Sequence, residues 1–172
     1  MGRQEQHGPL PVLISPVLSR RQRTVIPNSH MKIPDDMYEH VFALVTGMTD
    51  AAGAEDVQAY WQLYEKLEAY CAAQSERDHP FLWETLADFT MDDQAALALY
   101  LKALSKAQLL GNAHYEASSL LSLAERHKDM GNMDLAYRYA LEASAKAKFL
   151  DNAALRRNIS EFLASGFGTA SP

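Results

Sequence analysis

Two stretches of this chain, "DQAALALYLKALSKAQLLGN" (93–112) and "MDLAYRYALEASAKAKFLDN" (133–152), agree at seven of twenty positions when laid forty residues apart. Ala96, Leu101, Ala103 and Lys106 fall on Ala136, Leu141, Ala143 and Lys146; Ala107, Leu110 and Asn112 fall on Ala147, Leu150 and Asn152. An internal period of this length leaves few folds open. Each copy is one supersecondary unit whose apolar side is covered by the next, which is the logic of stacked helical pairs. Several shared residues are alanines, so two helices can approach there with nothing beyond Cβ between them.

The rest of the chain also reads as helix. Pro34 and Asp35 open a segment in which Met37, Val41, Leu44, Val45 and Met48 share one face, and Gly53 breaks it. A second segment places Val57, Tyr60, Trp61, Tyr64, Leu67 and Cys71 on one stripe, which reads as core packing. "ERDHP" punctuates the chain before a short helix from Pro80. Three longer helices follow, closed by Gly111-Asn112, Gly131-Asn132 and Asp151-Asn152, and a last short helix precedes a tail at 166–172. The expectation is about seven helices and no strand. Apolar residues make up 48% of the 172, enough for a core of ordinary size.

Residues 1–34 differ in kind. They hold most of the prolines and no helical period, so extended or disordered chain is expected. Arginines follow the apolar run "VLISPVL" instead of preceding it, the reverse of a secretion signal. Ser29-His30-Met31 is what a common cloning site leaves before a native start, so residues 1–30 are either vector-derived or a native arm. Residues 1–31 carry Arg3, Arg20, Arg21 and Arg23 against Glu5; the remainder holds 12 basic against 21 acidic residues. An acidic body disfavours nucleic acid, which needs clustered cations. No stretch reaches the ~18 apolar residues of a membrane span. A single cysteine, Cys71, allows no internal disulfide, which points to the cytoplasm.

Within residues 117–150 the finer pattern resembles the tetratricopeptide repeat (TPR). Leu120, Leu123, Ala124, His127, Gly131, Ala136, Ala140 and Ala143 stand at positions 4, 7, 8, 11, 15, 20, 24 and 27 of a 34-residue unit. Gly131 suits the positive φ of a helix end, and Ala124 and Ala136 suit a close helix pair. His127 stands where the family has Tyr, and Ala140 where it has an aromatic. The family's proline at position 32 is missing, so the second helix of the pair is free to run on. The resemblance is specific over 113–152, fair over 83–112 and architectural over 36–78. It implies an all-α fold, a right-handed α-solenoid of antiparallel helix pairs over residues 35–165, with residues 35–75 and 153–165 as caps.

Motifs for chemistry are missing. The six histidines (His7, His30, His40, His79, His114, His127) form no i, i+3 or i+4 pair, and no HExxH, phosphate-binding or nucleophile-elbow motif occurs. Asp35-Asp36 and Asp92-Asp93 stand at helix starts, where the helix dipole favours carboxylates. The expectation is a protein that is not an enzyme and needs no cofactor or metal.

The resemblance implies a protein-binding adaptor or chaperone that holds a peptide or partner protein in a groove lined by first helices. On the helix from Ala113, the groove positions would be Ser118, Leu121, Ser122, Glu125 and Lys128, with Asp129 at the edge. Glu125 and Ser118 replace the Asn and Lys of a carboxylate clamp, so a basic or apolar segment fits better. An immunity-type or regulatory inhibitor that caps an enzyme, and a self-assembling subunit such as a homodimer, remain as alternatives.

Overall fold

The structure, a computed structural model, describes residues 33–166. Residues 1–32 and 167–172, which hold most of the expected arm (1–34) and tail (166–172), lie outside the described residues. Among the described residues there are seven α-helices and no strand. They run α1 (Asp35–Gly53), α2 (Val57–Ala73), α3 (Pro80–Phe89), α4 (Asp93–Leu109), α5 (Ala113–Asp129), α6 (Met133–Ala147) and α7 (Ala153–Gly166). No helix among them is long and apolar enough to cross a membrane. The chain divides into two compact units between Arg77 and Asp78.

In the first unit, α1 and α2 form an antiparallel hairpin, as their short link requires. Asp56 starts α2 by accepting the Ala59 N–H at 2.9 Å. The expected apolar face of α1 is buried: Met37, Val41, Leu44, Val45 and Met48 all face inward. On α2 the stripe proves narrower than expected. Tyr60, Leu67 and Cys71 are buried, whereas Val57, Trp61 and Tyr64 are only half-buried. Residues spread over positions 57, 61 and 64 lie to the side of the line through 60, 67 and 71, so a single partner helix cannot cover them all. Trp61 instead meets the rings of Tyr60 and Tyr64 edge-on, each at 5.5 Å. Arg77, in a short 3-10 turn after α2, reaches back to Asp36 with two hydrogen bonds of 2.9 and 2.7 Å.

The second unit is built from α3 to α7. Each helix packs on the next, and α5 also touches α3 and α7. Its core joins Leu97, Tyr100 and Leu104 of α4, Leu120, Leu123 and Ala124 of α5, four alanines of α6 and Leu155, Ile159 and Phe162 of α7. Ala136, Ala140, Ala143 and Ala147 form a continuous alanine face on α6, all buried. Gly131 adopts φ +77°, as expected, and Gly111 adopts φ +62°. Both turns close alike: the Asn112 and Asn132 N–H groups donate to Ala107 O (2.8 Å) and His127 O (2.7 Å), and Gly111 and Gly131 donate to Gln108 O and Lys128 O.

α6 does not run on. It ends at Ala147, although no proline stops it. The next helix needs the intervening residues: Asn152 accepts the Leu155 N–H at 3.0 Å as N-cap of α7, and the Arg156 guanidinium donates to Leu150 O inside the turn. Asp92 likewise caps α4 by accepting the Ala95 N–H at 2.7 Å.

Candidate partner-binding site

α5 is the middle element of the second unit, and its sequence suits that place. Asn112 caps it by accepting the Tyr115 N–H at 3.2 Å, Glu116 lies in its first turn, and Arg126, His127 and Lys128 lie in its last, complementing the dipole at both ends. Alternate small and large side chains let neighbours close on several sides: Tyr115, Glu116 and Ala117 are buried, and so is every residue from Ser119 to Ala124.

The six residues expected to line a groove are distributed unevenly in depth. Leu121 and Ser122 are buried, at 7% and 2% exposure. Ser118, Glu125 and Lys128 are half-buried, and Asp129 is exposed. Ser122 donates its hydroxyl to Ser118 O at 3.1 Å, which ties the two serines to the helix itself. Lys128 turns toward α7, with Nζ 5.1 Å from the centre of the Phe162 ring. Ser118, Ser122, Glu125 and Asp129 follow one another at steps of three and four, so they share a side of α5.

Of the residues expected to pack the repeat, Leu120, Leu123 and Ala124 of α5 and Ala136, Ala140 and Ala143 of α6 are buried in the core of the second unit, and Gly131 lies in the turn between the two helices. His127 lies half-buried with its ring stacked on Tyr139 of α6 (5.4 Å, 6° between planes), and burial lowers its pKa.

Sequence reasoning missed the polar ties between helices. Glu84 of α3, 4% exposed, accepts the Ser119 hydroxyl at 3.1 Å and so joins α3 to α5. Its signal was a lone acid in the apolar run "PFLWETLA". Glu116, also buried, pairs with Lys146 of α6. Arg126 bonds Asp93 at 3.0 Å, joining α5 to α4. At the start of α3, Asp78 pairs with Lys106 at 2.7 Å and accepts the Trp83 indole N–H, while Lys102 Nζ sits 3.1 Å from the centre of the Trp83 ring. His79 caps the helix: its Nδ1 accepts the Phe81 N–H at 3.1 Å, and its ring meets Tyr115 edge-on. Burial pushes the His79 pKa down to about 4, against the opposing pull of Asp78.

A shallow groove of about 420 Å³ also went unread; it opens between α6 and α7. Leu141, Ala145 and Ile159 line it together with Ser144, Ser160, Lys148 and Arg156. Leu141 matches Leu101 in the repeat, yet both are 46% exposed, so the identity marked a surface position and not a core one.

Compared with family models, curated proteins and solved structures, the chain matches none.

Proposed function

We propose that this chain is a non-catalytic protein-binding module: a short right-handed array of TPR-like helix pairs that serves as adaptor or chaperone for a peptide or partner protein in the cytoplasm. The observation that carries the reading is the placement of α5. It packs on α4 and α6 and also meets α3 and α7, and its pair with α6 closes over alanines. Alternate helices touching in this way is what stacking of helix pairs requires. The side of α5 with Ser118, Glu125 and Asp129 is the polar surface offered to a partner. Two carboxylates at its end favour a segment with basic or apolar residues.

The test is capture from native lysate with the full chain and with Glu125→Lys, read by mass spectrometry. One stoichiometric partner that is lost on charge reversal, with an unchanged melting temperature, supports the reading. Equal capture by both proteins removes α5 from the binding surface.

A further inference from the structure

We infer that the groove between α6 and α7 receives the exposed aromatic ridge of α1 from a second copy of this chain. The groove is lined by the apolar Leu141, Ala145 and Ile159, two serines, two cations, Lys148 and Arg156, and no carboxylate among its described lining residues. That composition asks for an occupant with apolar side chains flanked by acids.

The outer side of α1 carries that pattern. Tyr38 and Phe42 are 39% and 42% exposed, and their rings stack at 5.8 Å with 16° between planes. Asp35 and Glu39 are exposed beside them. Residues 35, 38, 39 and 42 fall at helical steps of three and four, so they share one side. Asp35 to Phe42 and Leu141 to Lys148 each span seven steps, ~10 Å of helix, so ridge and groove match in length. An antiparallel approach sets Phe42 on Leu141 and brings Asp35 beside Lys148.

The hairpin that carries the ridge is itself acidic: residues 33–77 hold two basic against nine acidic residues. Each chain offers one ridge and one groove, so the contact joins unlike surfaces and either closes reciprocally as a pair or extends.

Sedimentation of the full chain at low salt and at high salt tests this, with Asp35→Lys, Lys148→Glu and their equimolar mixture. Wild type is expected to associate, and more weakly at high salt. Each reversal alone should weaken association by about tenfold, the scale of one close charge pair across an interface. Mixing the two variants offers the native ridge of one to the native groove of the other, and at the second contact the two reversed charges again attract. Association should therefore return. Both positions are exposed, and unchanged melting curves confirm that the variants fold. A wild-type chain that stays monomeric overturns the inference and leaves the groove to an acidic segment of another protein. So does a mixture that associates no better than its components.

Discussion

In residues 33–77 two helices meet through Met37, Val41, Leu44, Met48, Tyr60 and Leu67; in residues 113–147 two helices meet through Leu120, Leu123, Ala124 and the alanines of α6. The first pair fills its interface with long side chains. The second brings its backbones together over methyl groups. Large side chains tolerate small changes of shape by adjusting rotamers, and each one carries much of the burial energy. An alanine seam has little to adjust. It gains from closeness, and it has no room for added atoms. The two pairs should therefore fail in opposite ways: the hairpin by deletion and the seam by enlargement.

The most severe test is Ala136→Arg. A guanidinium forced into the α5–α6 seam meets both overpacking and buried charge, and a loss above ~4 kcal/mol is expected. Calorimetry or chemical denaturation should show the second unit unfolded. A variant that melts like the wild type would remove the seam and the repeat with it. Next in size is Leu67→Ala in the hairpin, expected to cost ~3 kcal/mol through its cavity. Ala140→Gly in the seam should cost only ~1 kcal/mol, mostly from helix propensity. If the deletion in the seam costs more than the deletion in the hairpin, the contrast between them is wrong.

The pH response sharpens the comparison, because the cap of α3 belongs to the second unit. His79 is held neutral, with a pKa of about 4 against 6.5 in the unfolded chain. The unfolded state thus binds the extra proton first. The stability that the neutral ring confers is complete above pH 6.5 and is lost as pH falls from 6.5 toward 4. His79→Asn keeps an acceptor for the Phe81 N–H and removes the titration. The difference in stability between wild type and variant should change by about 2 kcal/mol across that window, allowing for the ring's partial exposure. A difference independent of pH would free His79 of this role. The smallest effect is expected at Gly47, where an added Cβ would lie 3.0 Å from Cδ1 of the half-buried Leu63. Gly47→Ala gains helix propensity and asks only a flexible Leu63 to move, so the net change should stay within ~0.5 kcal/mol.

Helix number and order were legible because caps and breakers stand where the periodicity changes. Pro34, Asp56, Pro80, Asp92 and the asparagines at 112, 132 and 152 each mark a start. The alanine seam was legible through the repeat, since small residues recur where backbones approach. The depth of α5 was not. A periodic reading assigns sides to a helix, but the number of neighbours decides how many sides are covered, and that is a property of the assembly. Leu121 and Ser122 are buried for that reason. The ties from Glu84 to Ser119 and from Glu116 to Lys146 join residues 35 and 30 positions apart, beyond any local pattern.

Because α5 touches four other helices, its amides have no private route to solvent. Opening any one contact leaves three in place. Exchange with deuterium along the second unit should then be graded: fastest in α7 and in the turns at Gly111 and Gly131, slower in α4 and α6, and slowest in the buried stretch from Ser119 to Ala124. Those few amides should exchange only when the whole unit opens, so their rate reads the unit's global stability without any denaturant.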